Sequence, residues 1–255
     1  TCFQVEEALQ DIGIPVFHDD QHGTAIVVRA ALINAAKVIN KPYESLKVAI
    51  VGAGSAGLAI ARMILGLNCN SDRCSKANGA RHVNDVIVFD TKGAIFAGRN
   101  NQNIYKQAVA GLSNKNKKAG TPEETIDGFD VIIGVSGPGS ITPEAIKKMS
   151  KKAIVFALAN PTPEIMPEEA KKAGAYIIAT GRSDFNNQIN NVLAFPGIFK
   201  AVVQGKLKKI TYQMKQTASD TIAETIENPT VDKIIPSVFY PNLAEKVSQA
   251  VLKAK

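Results

Sequence analysis

The feature that most limits what this chain can fold into is a short apolar run, Val48 to Val51, that enters Gly52-Ala53-Gly54-Ser55-Ala56-Gly57 and continues into a helix-forming stretch from Leu58 to Leu67. A strand that turns this tightly into a helix uses its three glycines differently. Gly52 permits the turn, Gly54 lets a ligand approach the backbone, and Gly57 lets helix and strand pack closely. The helix start then offers an anion its N–H groups and its dipole, and the G-x-G-x-x-G spacing is that of a dinucleotide pyrophosphate loop. A glycine-rich turn with no ligand is the plainer alternative.

The remaining pattern alternates strand and helix. Val86 to Phe89, Val131 to Gly134, Ile154 to Leu158 and Tyr176 to Ala179 are short, β-branched runs that end in glycine, proline, asparagine or aspartate, as buried parallel strands do. Helical patterns at Ala56 to Leu67, Pro143 to Lys148 and Pro167 to Lys172 lie between them, the last two opening on proline where its missing N–H costs nothing. The expected architecture is α/β, a doubly wound Rossmann-type, mostly parallel sheet with helices on both faces. Residues 1–45 read as a helical lead-in, 46–196 as the dinucleotide-binding core, and 197–255 as C-terminal helices packed on it. Those helices are expected at Gly197 to Val203, Ile210 to Ile226 and Leu243 to Ala254. Asn68 to Ala80, polar and turn-rich, reads as an inserted surface loop that lengthens the spacing to the acid of the second strand.

Composition mainly excludes. A chain of 255 residues, 45% hydrophobic and 21% charged, can bury a sizeable core. The net charge of +7 comes from scattered lysines and suits a solvated surface or the steering of an anionic substrate. No basic tract is interleaved with aromatics, so nucleic acid is not an expected partner, and no apolar run reaches the length of a membrane span. Cys2, Cys69 and Cys74 are too few and too irregular for a disulfide framework and fit a reducing, cytoplasmic compartment. Two free thiols at Cys69 and Cys74 are preferred over a pair across a short loop. Thr1 to Glu7 reads as a helix already inside a fold, with neither an initiator methionine nor a signal pattern, so a piece of a longer protein is expected.

A second motif, Phe17-His18-Asp19-Asp20-Gln21-His22-Gly23-Thr24-Ala25, sets two acids, two histidines and a glycine turn before an apolar helical pattern. Neighbouring carboxylates repel, so a cation or a shared proton is expected to offset them, with a helix N-cap pair as the alternative. Hard oxygen ligands point to Mg2+ or Mn2+, and His18 and His22 are assigned to orienting hydrogen bonds. Asp90, ending the second strand, would accept from the adenosine ribose hydroxyls and repel a 2′-phosphate, unless it is only a strand-end cap. NAD is thereby weakly favoured over NADP, because Lys92 could pair with that phosphate. Ser136-Gly137-Pro138-Gly139 and Ala159-Asn160-Pro161-Thr162-Pro163-Glu164 follow later strands, where open α/β sheets bind ligands. The run Gly181 to Asn191 ends in two asparagines whose amides suit carboxylate oxygens, though loop chemistry alone also explains it.

Taken in order, these residues resemble the malic enzymes, in their shorter, bacterial-type branch. The likeness runs through Val16 to Ala25, Gly52 to Gly57, Asp90 to Gly93, Ala159 to Glu164, Gly181 to Gly197 and Ile234 to Phe239. It implies metal-dependent oxidative decarboxylation of malate to pyruvate and carbon dioxide, with reduction of NAD or NADP, by a homodimer or larger homo-oligomer. It also makes Asp20 a metal ligand and Asp19 its neighbour in the catalytic proton network. Ala53 to Ala56 becomes the pyrophosphate loop, with Gly52, Gly57, Asp90 and Ser136 also binding cofactor, Asn160 a contact of the nicotinamide end and the substrate, and Asn191 a malate-binding amide. In the family a further Glu-Asp ligand pair and the catalytic tyrosine and lysine lie before the position of Thr1, so the resemblance is to the cofactor domain, expected to bind dinucleotide without decarboxylating malate. A malolactic enzyme, an amino-acid dehydrogenase and a non-catalytic cofactor-binding fragment are the competing readings.

Overall fold

The computed structural model describes residues 2–70 and 73–254; Thr1, Lys255, and Ser71 and Asp72 of the expected insert lie outside the described residues. Two helices lead in, α1 (Cys2–Leu9) and α2 (Asp19–Val38), followed by β1 (Lys47–Val51) and α3 (Ser55–Ile64). A hairpin of β2 (Leu67–Asn70) and β3 (Arg73–Lys76) precedes β4 (Asp85–Asp90), β5 (Gly93–Ala94), α4 (Ile104–Ala110) and α5 (Pro122–Thr125). Then come β6 (Val131–Gly134), α6 (Pro143–Lys147), β7 (Ala153–Ala157), α7 (Pro167–Lys172) and β8 (Ala175–Thr180). The chain closes with α8 (Phe195–Gly205), α9 (Tyr212–Glu224) and α10 (Leu243–Lys253).

Six strands form one sheet in the order β5-β4-β1-β6-β7-β8, parallel except for β5. This is the expected Rossmann-type α/β architecture. Successive residues of a strand point to opposite faces, and both faces here are covered. Val48, Ile50, Val88 and Ile133 pack into one core with α2, α3 and α9, while Ala49, Val51, Ile87 and Ile132 pack into another with residues of α6 and α7. That two-sided burial is why the strands read as unbroken β-branched runs.

Two glycines of the first turn are forced. Gly52 sits at φ +120°, and a Cβ there would lie 2.5 Å from the Val135 carbonyl oxygen. At Gly57 a Cβ would lie 1.8 Å from the Gly52 carbonyl oxygen, so any side chain pushes α3 off the strand.

Three expectations need correction. Asp19 and Asp20 do not lie on a turn: they form the first turn of α2, with His18 at the N-cap, and Gly23 is helical. The expected surface loop over Asn68 to Ala80 is largely a hairpin, with Leu67, expected at a helix end, paired to Lys76. Cys69 and Cys74 are not free thiols but a disulfide, because the antiparallel register sets them opposite each other with Cα atoms 4.1 Å apart. Cys2 is free and exposed. Among the described residues, no helix is long and apolar enough to cross a membrane.

Asn34 bolts the buried α2 to its neighbours. Fully buried, it donates from Nδ2 to the carbonyls of Ala223 (2.9 Å) and Ile234 (3.0 Å). Asn34→Ala leaves both oxygens without that donor and should lower unfolding stability by about 2 kcal/mol, read from urea midpoints at constant m-value. A variant as stable as wild type would remove Asn34 from this role.

Candidate active site

Five of the sheet's strands present their carboxyl ends along one edge, and the candidate residues follow them. Gly52, Ala53, Gly54, Asp90 and Ser136 line a single cavity of about 550 Å3 together with Lys106. No side chain caps α3, so its first N–H groups remain for a ligand or water. A Cβ at Gly54 would meet nothing within 4 Å, which suits the reading that its bareness serves an incoming ligand rather than local packing. A dinucleotide fits this lining: an uncapped helix start, a bare backbone turn and a carboxylate at the end of the next strand.

Asp90 is held by cations that sequence reasoning missed. Arg99 donates to both of its oxygens (Nη1 to Oδ1 3.0 Å, Nη2 to Oδ2 2.5 Å), Lys106 Nζ lies 2.7 Å from Oδ2, and the Lys92 backbone N–H donates to Oδ1 at 2.9 Å. Burial pushes this carboxyl up, but the hydrogen bonds from Arg99 and Lys106 outweigh it and hold Asp90 well below the usual carboxylate range. The positive charge beside Asp90 is therefore supplied through Arg99 and Lys106, while Lys92 reaches it through the backbone. Arg99 lies in a loop and Lys106 in the first turn of α4, nine and sixteen residues on, where no local motif marks them.

Further along the edge, Ser136 follows β6 and Asn160 follows β7; both are exposed, and Asn160 precedes a cis peptide bond to Pro161. Beyond β8 the chain returns to the sheet, where Gln188 bridges Thr180 in parallel and the Ile189 N–H donates to the Thr180 carbonyl at 2.8 Å. That return sets Asn191 at the same edge, and its amide donates to Asp19 Oδ2 across 172 residues of sequence.

The acidic corner is shaped by packing as much as by charge. Burial first, and then the neighbouring Asp20 carboxylate, push Asp19 up to about 6, while His18 pulls the other way. Asp19 Oδ1 is buried without a hydrogen-bond partner and Asp20 is exposed. A buried, unpartnered carboxylate oxygen beside a second carboxylate fits a hard divalent cation. Among the described residues, however, no group of three His, Cys, Asp or Glu side chains could hold a metal ion. Of the two histidines assigned to orienting hydrogen bonds, His22 makes its bonds away from the acidic pair, with Nε2 2.5 Å from Glu6 and Nδ1 3.0 Å from Lys215 Nζ, and His18 Nδ1 is buried with no hydrogen-bond partner among the described residues. Burial lowers the His22 imidazole to about 4, so it is neutral near pH 7, donating to Glu6 and accepting from Lys215.

Comparison with known proteins shows the family. The family description "Malic enzyme, NAD binding domain" matches residues 21–254. A bifunctional malic/malolactic enzyme of Bacillus subtilis is 44% identical, aligned over 99% of this chain and 59% of its own length. An NAD-dependent malic enzyme of Geobacillus stearothermophilus is 43% identical over 99% of this chain and 50% of its own. The crystal structure of an NAD-dependent malic enzyme from Thermotoga maritima superimposes with a TM-score of 0.88 at 41% identity, covering 98% of this chain and 63% of that one. The chain thus spans half to three-fifths of the length of the two curated relatives.

Gly23 is the residue of this corner whose part sequence reasoning misplaced. Alanine in a helix is ordinarily better than glycine by about 1 kcal/mol. Here a Cβ would lie 2.0 Å from Asp19 Oδ1 and 3.1 Å from Asn191 Cβ, so Gly23→Ala turns the Asp19 carboxylate away and strips Asn191 of its acceptor. The Asn191 side-chain NH2 resonance should move to the position of a solvent-exposed amide while the Gly52–Gly57 backbone resonances stay in place. An unmoved Asn191 signal would contradict the packing argument.

Proposed function

The chain belongs to the malic enzyme family and supplies its NAD-binding domain, and from that premise we propose that it carries the cofactor half of a metal-dependent oxidative decarboxylation of L-malate to pyruvate and carbon dioxide. The observation that carries this reading is the order of groups along one sheet edge. Asp90 ends β4, the glycine turn ends β1, Ser136 and Asn160 follow β6 and β7, and Asn191 with Asp19 lies beyond β8. A dinucleotide lying along this edge has its adenosine ribose at Asp90, its pyrophosphate at the start of α3, and its nicotinamide toward Asn160. Malate then sits one strand further, against Asn191.

NAD or NADP, when bound, supplies the hydride acceptor, and Mg2+ or Mn2+ supplies the charge that polarises the substrate oxygens. The chain's own part is to hold and orient. Asp20 is the metal ligand of this reading, and Asp19, fixed by Asn191, is its partner in the proton network. The Asn191 amide, with one N–H engaged by Asp19, keeps its other N–H and its oxygen for the substrate. Asn160, extended by the proline after it, offers its amide to the nicotinamide end. The bifunctional Bacillus subtilis relative makes malolactic chemistry the second reading; net reduction of cofactor during turnover of malate separates the two.

Two measurements test the proposal. The full-length enzyme should reduce its dinucleotide in the presence of malate and Mg2+ or Mn2+, and Asp20→Ala should remove most of that turnover by weakening the metal; unchanged turnover with unchanged metal affinity refutes the assignment. Cofactor choice should follow the cluster at Asp90. Removing the carboxylate in Asp90→Ser leaves Arg99 and Lys106 free for a 2′-phosphate, so NADP affinity should rise relative to NAD. A fall in that ratio would mean that Asp90 does not face the adenosine ribose.

A further inference from the structure

We propose that Glu164 is a positioning residue for the nicotinamide half of the dinucleotide, fastening the loops after β6 and β7 to each other from beneath the sheet edge. The inference rests on the reading above that a dinucleotide lies along that edge, and it concerns a residue to which that reading gives no part. Glu164 is fully buried. Among the described residues it has no ion-pair partner, and its oxygens go to backbone instead: Oε1 accepts from the Ser136 N–H at 2.8 Å and Oε2 from the Ala159 N–H at 3.0 Å. Its own carbonyl accepts from the Gly139 N–H at 2.9 Å. One side chain thus holds two loops that belong to different strands.

The local architecture is built around this carboxyl group. Gly134, the last residue of β6, leaves room for it, since a Cβ there would lie 2.5 Å from Glu164 Cδ. Burying a carboxylate is costly unless its oxygens are hydrogen-bonded, and a general stabilising role is met more cheaply by an apolar side chain. What this one provides is direction. Its two acceptors fix the N–H of Ser136, which lines the cavity shared with the glycine turn and Asp90, and the N–H immediately before Asn160, the residue that stands exposed at the nicotinamide end of the edge. Glutamine keeps the shape but turns one acceptor into a donor facing an N–H, and aspartate is one methylene too short to span both loops. Among the described residues Glu164 makes no hydrogen bond to Asp90 or to α3, and reaches that side only through Ser136.

That division gives a test internal to the chain. Affinities for NAD and for ADP, which carries only the adenosine and pyrophosphate part, are measured by calorimetry for wild type, Glu164→Gln and Glu164→Asp. Glu164→Gln should weaken NAD about tenfold, the size expected for a lost buried hydrogen bond, and weaken ADP, which meets Ser136 but not Asn160, by less than about threefold; Glu164→Asp should move NAD in the same direction by less. Amide exchange at Ser136 and Ala159 should speed up in Glu164→Gln while the β1 amides keep their protection. Unchanged NAD affinity, or parallel weakening of NAD and ADP, overturns the positioning role. A wild-type chain that binds neither ligand strikes instead at the proposed function, so the two failures are told apart.

Discussion

Everything at the candidate site depends on the burial of α2. Fourteen of its residues are buried, from Gln21 to Ala36, so it is a central rod rather than a surface helix. Its first turn carries Asp19 and Asp20, its flank packs on α3, whose start is the glycine turn, and its other neighbour is α9. A rod so placed fixes the acidic corner and the dinucleotide loop relative to each other without their touching. Two of its buried polar groups, Asn34 and Arg29, are held accordingly. Asn34 is tied to two carbonyls, and Arg29, 1% exposed, donates to Asp220 at 2.7 Å. An unpaired guanidinium at that depth would be strongly unfavourable, so the ion pair sets how α9 lies against α2.

The sheet was legible because its strands obey a local rule. Each is buried on both faces, which demands β-branched runs, and each ends where the chain must turn, which demands glycine, proline, asparagine or aspartate. Val131–Gly134 and Pro167–Lys172 match the expected bounds, and the other parallel strands differ by about a residue at either end. The glycine turn was legible for the same reason: its spacing is a steric requirement of one short segment.

What stayed hidden depends on contacts between distant segments. Arg99 and Lys106 lie beyond the strand that carries Asp90, and only the fold brings them onto its carboxylate. Glu164 looked like the tail of an asparagine-proline turn, because nothing in its neighbourhood tells of a glycine left open for it in β6. Gly23 was taken for a turn residue, since a glycine after two acids reads that way until Asn191 arrives from the far end of the chain. The hairpin was missed because its strands are short and polar, held by pairing and by the Cys69–Cys74 bond rather than by an apolar face.

That hairpin separates distance along the chain from distance in space. It leaves α3 at Gly66 and is tied back there, the Ala77 N–H donating to the Gly66 carbonyl at 2.8 Å, so the intervening residues add length without adding span. Because a covalent bridge near its tip already limits the conformations open to the excursion, lengthening it further carries a small entropic penalty. Because the excursion begins and ends beside Gly66, β4 can deliver Asp90 to the same place beside the glycine turn whatever the length of the hairpin.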